Sequence, residues 1–234
     1  MTGLFAAAVA ALALAAPAER PTVFAAASLS DVFPRIDASA AYSFAGSDQL
    51  AYQIEQGAPA DVFAAASPKY PQRLYRQGLV EKPVTFATNK LILLLPKANP
   101  ARIRSVFDLR RRGIKLVVGE RGVPIGDFTR TVLRNLGLAG VLRNVVSEEA
   151  DVKAIVGKVV LGQADAGFVY ATDAKPVSAK VAVVALPARA QPRVLFQIAL
   201  VARTRKHAAA RAFVARVLSK AGRARLTAAG FGLP

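Results

Sequence analysis

The chain has 234 residues, 53% of them hydrophobic and 20% charged, which bounds it to one large globular domain or two small lobes and excludes disorder. It carries a formal charge of +17, no cysteine and one histidine, His207. A disulfide framework, a thiolate or multi-histidine metal centre and a lipid anchor on cysteine are therefore excluded. The basic balance points to an anionic partner, but the basic residues are scattered. Arg110-Arg111-Arg112 is the one tight run, and no aromatic side chains interleave with it, so it reads as solvated surface and not as a nucleic-acid groove.

Residues 1–18 read as a signal peptide. Leu4 to Ala16 is an uncharged apolar run, and Ala16-Pro17-Ala18 has the small-x-small pattern of a cleavage site. The mature chain is then expected to start near Glu19 and to work outside the cytoplasm. Beyond that point short apolar runs alternate with helical patterns, the signature of α/β organisation. Thr22 to Ala27 is a predicted strand, followed by a helix from about Ser30 that Pro34 should shorten. A strand is expected around Tyr42 to Phe44. A helix spans Ser47 to Gln56, with Leu50 and Ile54 one turn apart and Gly57 as its stop. Asp61 to Ala65 and Leu91 to Leu95 are further buried strands.

A second α/β series begins with a strand at Lys115 to Val118. A helix from about Asp127 carries Phe128, Val132 and Leu136 on one face and ends at Gly137. Val152 to Leu161 repeats the theme, ended by Gly162, and Thr172 with Asp173 reads as a helix cap after the strand Ala166 to Tyr170. Leu195 to Val201 is a long strand able to carry the chain back, and a helix from about Lys206 to Lys220 closes the fold. Lobe 1 is expected at residues 19–93 and 198–234, and lobe 2 at 94–197.

Four strand-to-helix junctions share a character: Ala27-Ser28-Leu29, Ala45-Gly46-Ser47, Val123-Pro124-Ile125-Gly126 and Asp151-Val152. Each sets small residues, hydroxyls or bare backbone N–H groups at a helix start, where unsatisfied donors and the helix dipole favour anions. Ser28 and Ser47 read equally well as ordinary N-caps when taken singly. Asp48, early in its helix, is expected to face solvent. No nucleophile–base pair, Gly-rich phosphate loop or metal cluster is apparent, so no catalytic residue is assigned.

Thr-Val-Phe-Ala-Ala-Ala-Ser-Leu-Ser (22–30) and the stretch from Phe44 to Phe63 resemble the periplasmic molybdate-binding proteins of ABC transporters. So do Val-Pro-Ile-Gly (123–126), Ala-Asp-Val-Lys (150–153) and Gly-Phe-Val-Tyr-Ala-Thr-Asp-Ala (167–174), in consistent order along the chain. The resemblance implies an α/β, two-lobed periplasmic-binding-protein fold of the second topological class, each lobe a mixed sheet flanked by helices. It also implies ligand contacts from Ser28 and Ser47 through hydroxyl and N–H, from Ile125 and Val152 through N–H, and from the Tyr170 phenol. The ligand would be molybdate or tungstate, held by hydrogen bonds without a bare metal ion or cofactor. The partners would be a membrane permease and its cytoplasmic ATPase, with no nucleic acid, and the protein a periplasmic monomer. Sulfate or another small oxyanion is the rival ligand, and a regulatory effector domain of the same fold the rival class.

Overall fold

The computed structural model describes residues 19–234, and the predicted signal peptide lies outside them. β1 (Thr22–Ala26) leads through a 3-10 turn to α1 (Phe33–Ile36), then β2 (Ala41–Ala45), α2 (Ser47–Glu55), β3 (Val62–Ala65), α3 (Lys69–Arg76) and β4 (Val84–Asn89). The second series is β5 (Leu91–Pro96), β6 (Leu116–Gly119), α4 (Pro124–Asn135), β7 (Val145–Glu149), α5 (Val152–Val160), β8 (Ala166–Tyr170), α6 (Ala171–Ala174) and β9 (Val181–Ala185). The chain then returns along β10 (Val194–Leu200) and ends in α7 (His207–Leu218) and α8 (Lys220–Ala229). No described helix is long and apolar enough to cross a membrane.

Two five-stranded sheets result, ordered β2-β1-β3-β10-β4 and β7-β6-β8-β5-β9. They share one plan. β1 runs parallel to β2 and β3, and β6 parallel to β7 and β8. Each sheet also takes one antiparallel strand next to its parallel trio, β10 against β3 and β5 against β8. The chain changes sheet at Lys90 and again within 186–193, so both expected lobe boundaries fall inside a strand. The two crossovers are tied together: Gln191 accepts from Leu91 N–H at 3.0 Å and donates to its carbonyl at 2.7 Å, and Asn89 donates to Thr172 Oγ1 at 2.9 Å.

The period of two along β3 sorts the first sheet into two packed faces. Phe63 and Ala65 meet Leu50, Ile54 and Leu74 of α2 and α3, while Val62 and Ala64 face the cluster holding Phe33, Phe86, Phe196 and Phe213. Full burial of Leu50 and Ile54 contributes about 1.5–3 kcal/mol each to seating α2 on its sheet. In the second sheet, Gly167 of β8 lets α5 lie close: a Cβ there would stand 2.6 Å from Ile155 Cγ2.

Several elements differ from the sequence expectation. α1 is only four residues long, with Pro34 in its first turn. α4 starts three residues early, at Pro124, whose fixed φ and missing N–H suit a first helical position. The helix expected from about Lys206 to Lys220 is α7, and a further helix, α8, was not anticipated; Ser219 between them is extended and caps α8 by accepting from Gly222 N–H at 3.0 Å. α3, β4, β7 and β9 were not anticipated. β7 and β9 are edge strands: β7 carries Glu148 and Glu149 and so lacks a continuous apolar run, whereas β9, Val-Ala-Val-Val-Ala, has one that was passed over in the sequence.

Candidate functional site

Every junction singled out in the sequence lies at the carboxyl end of a parallel strand. In open α/β sheets those ends, with the helix starts that follow, are where ligands bind. The two sheets turn these ends toward each other, and a small cavity of about 20 Å³ lies between them. Ser28, Ser47 and Ala66 line it from the first sheet, and Ile125, Val152 and Tyr170 from the second. All five predicted contact residues are therefore brought together, drawn from stretches up to 142 positions apart in the chain.

Ser28 sits in the 3-10 turn after β1, and its hydroxyl oxygen is buried without a hydrogen-bond partner in the protein. Ser47 opens α2, and its Oγ accepts from Ala66 N–H at 3.1 Å. That bond fixes the oxygen and leaves the hydroxyl proton free to donate elsewhere. No N-cap side chain serves α2 or α4, and the N–H groups of Ser47 and Ile125, residues that line the cavity, have no intrahelical acceptor. α5 is capped by Asp151, whose carboxylate accepts from Lys153 N–H at 2.7 Å and Ala154 N–H at 3.1 Å. This satisfies the second and third amides and leaves that of Val152, the first.

Tyr170 ends β8 with its ring 1% exposed and packed edge-on against Phe196 at 5.7 Å between centroids. Its hydroxyl is buried and without a partner. Burial, reinforced by the negative charges of Asp173 and Asp127, pushes the phenol well above its ordinary value, so it stays protonated and remains a donor. No lysine, arginine or histidine lines the cavity, and its one carboxylate, Asp151, is engaged with the helix start. Among the described residues no cluster of histidine and carboxylate side chains could hold a metal ion. The site is thus lined by neutral donors, with no free charged side chain among them.

The rims of the cleft hold features that the sequence did not disclose. Lys69 of α3 pairs with Asp127 of α4 at 2.9 Å, and Tyr70 donates to the Gly122 carbonyl at 2.5 Å. On the other rim Lys153 pairs with Asp31 at 2.5 Å. Gly46 has no room for a side chain, since a Cβ would stand 2.5 Å from the Ala150 carbonyl oxygen of the facing lobe. Two aspartates depart from expectation. Asp48 folds back over its own helix start with Oδ1 enclosed, and burial raises its carboxyl above the ordinary range. Asp173 lies inside α6, 1% exposed, with Lys153 Nζ 3.2 Å from its Oδ1.

Two similar sheets that present helix starts and hydroxyls across a small donor-lined cleft define a two-lobed solute-binding protein. The chain belongs to the bacterial extracellular solute-binding protein family, whose pattern it matches over residues 21–232. It is 41% identical over 222 residues to the molybdate-binding protein ModA of Mycobacterium tuberculosis H37Rv, covering 91% of this chain and 84% of that protein. Among solved structures, the periplasmic molybdate-binding protein of Azotobacter vinelandii superimposes with a TM-score of 0.82 at 25% identity, over 92% of this chain and all 100% of that one. The sulfate-binding protein SubI of Mycobacterium tuberculosis H37Rv shares the fold alone, with a TM-score of 0.76 at 19% identity over 91% of this chain and 86% of that one. The chain is a binding protein and not an enzyme.

Proposed function

We propose that this protein captures molybdate or tungstate as the bare dianion outside the cytoplasm and delivers it, as a monomer, to a membrane permease driven by a cytoplasmic ATPase. Ser28 and Ser47 each supply a hydroxyl and an N–H, Ile125 and Val152 an N–H, and Tyr170 its phenol. The observation that carries this reading is the pair of buried, unpartnered hydroxyls, Ser28 and Tyr170, facing one cavity from opposite lobes. Burying such groups is costly without a partner, and a tetrahedral oxyanion supplies acceptors in several directions at once.

The chemistry of the lining selects among anions. A dianion in a dry cleft needs a dense shell of donors, and charge-assisted hydrogen bonds contribute about 1.5–3 kcal/mol each without adding freely. A donor-only shell matches a fully deprotonated oxyanion. Phosphate, which keeps a proton near neutral pH, would need a hydroxyl of the lining to accept it and so to give up its place as a donor to the anion. The cavity of about 20 Å³ lies far below the range of about 300–1,000 Å³ usual for drug-sized ligands, so sugars and peptides are too large. Sulfate has the same shape and charge as molybdate and differs in size.

Calorimetric titration of the purified protein with molybdate, tungstate, sulfate and phosphate tests the reading. Tight molybdate and tungstate binding with weak sulfate and no phosphate response is expected. Tight sulfate binding without a molybdate response overturns the choice of ligand, and silence toward all four overturns the oxyanion reading itself.

A further inference from the structure

We propose that Lys153 is a closure latch: anchored in its own lobe by the buried Asp173, it reaches across the cleft to Asp31 and thereby couples ligand capture to lobe closure. The inference rests on the oxyanion reading and deepens it. Its ammonium lies 3.2 Å from Asp173 Oδ1 in the second lobe and 2.5 Å from Asp31 Oδ2 in the first. None of the three side chains contacts the proposed ion, yet each is tied by the chain to a residue that does. Lys153 follows Val152, Asp31 lies three residues beyond Ser28, and Asp173 three beyond Tyr170.

The three groups differ in surroundings, and the difference explains their roles. Asp173 is sealed off from solvent, so Lys153 is its counter-charge and cannot leave without stranding a buried carboxylate. Asp31 keeps 43% of its side chain exposed and can exchange Lys153 for water when the lobes part. The Lys153–Asp173 contact is therefore the permanent half of the device and Lys153–Asp31 the half that makes and breaks. Burial alone would lower the ammonium's proton affinity, but Asp173 and Asp31 outweigh it and raise it, so the charge persists throughout. Because the cross-cleft pair forms only where Ser28 and Val152 converge, it adds its free energy to the liganded, closed state and slows ligand escape.

A rival account would have Lys153 act through its field, as a positive charge near a dianion. The two accounts give opposite signs for Asp31→Asn. Removing a nearby negative charge should tighten dianion binding if only the field matters. If the latch operates, the same change weakens it. Molybdate affinity and dissociation rate are measured by calorimetry and stopped flow for the wild type, Asp31→Asn, Lys153→Gln, the double variant and Lys153→Arg.

Each single change is expected to weaken binding about tenfold, mainly through faster dissociation. The double variant should be no weaker than the worse single one, since residues that act as one pair are not additive. Lys153→Arg should restore most of the loss, and thermal unfolding of each ligand-free variant should stay cooperative. Tighter binding by Asp31→Asn, strictly additive losses, or unchanged dissociation rates overturn the latch while leaving the oxyanion site intact. A wild-type protein that binds no oxyanion overturns both.

Discussion

Burying a phenol costs free energy unless its oxygen and proton find partners, and Tyr170 has neither within the protein. Its place is set by the ring, which packs on Phe196 and is shut from solvent whether or not the hydroxyl is satisfied. Tyr170→Phe therefore separates binding from folding. Molybdate affinity should fall by roughly tenfold or more, the equivalent of about 1.5–3 kcal/mol for a charge-assisted hydrogen bond. The ligand-free unfolding midpoint should hold or rise, because an unpartnered polar group has been removed. Ser47→Ala should weaken binding similarly but also lower the midpoint, since its Oγ is the acceptor for the buried Ala66 N–H. Calorimetry paired with thermal unfolding reads both. Unchanged affinity in the two variants would take these side chains out of the site.

At the scale of elements, what the sequence disclosed was local chemistry. A hydroxyl or glycine between an apolar run and an amphipathic one marks a strand-to-helix junction whatever surrounds it, so Ser28, Ser47, Ile125 and Val152 were legible. Hydrophobicity does not say which sheet a strand joins. The expected lobe boundaries fall within Leu91–Leu95 and Leu195–Val201, yet β5 lies wholly in the second sheet and β10 wholly in the first. Edge strands such as β7 alternate too weakly to stand out. The cross-cleft pairs Lys69–Asp127 and Lys153–Asp31 are set by the meeting of the lobes and by nothing local. Gly46 joins the two levels. As the residue before α2 its φ of −58° suits any amino acid, so local conformation does not demand glycine. The facing Ala150 carbonyl does. Gly46→Ala should lower the ligand-free unfolding midpoint only modestly, the loss of glycine at an N-cap costing about 0.5–1 kcal/mol. Molybdate binding should weaken strongly, as the new methyl holds the lobes apart. Small-angle scattering with saturating molybdate should find the variant more open than the wild type, and equal compaction would refute the steric account.

For the whole molecule, the buried Asp173 links closure to pH. Burial raises its carboxyl from 3.8 to about 6, with Asp31 adding repulsion and Lys153 opposing. Below about pH 4 it is protonated in both folded and unfolded chains and contributes no penalty. Between those values the folded protein holds a proton that the unfolded chain has released. Above pH 6 both are ionised, and the fold bears the full cost of the buried charge. This group's share of stability is thus present in acid and lost as pH rises through 6, by about 3 kcal/mol at roughly 1.4 kcal/mol per unit. Asp48, raised by burial, acts with the same sign. Asp37 is lowered: burial alone would raise it, but hydrogen bonds from Ser39 and the nearby Arg216 outweigh it, so its sign is opposite. The measurement must therefore be a difference. Denaturant unfolding of wild type and Asp173→Asn is compared at pH 4.5 and pH 7. The wild type should lose about 2 kcal/mol more across that interval than the variant, which keeps the volume but not the charge. Binding should run the other way: protonating Asp173 releases the anchor of Lys153, so wild-type molybdate affinity declines below pH 6 while Asp173→Asn shows the weakened value throughout. Parallel stability profiles for the two proteins would mean that Asp173 is not the group that titrates, and the link between pH and closure would have to be sought elsewhere in the cleft.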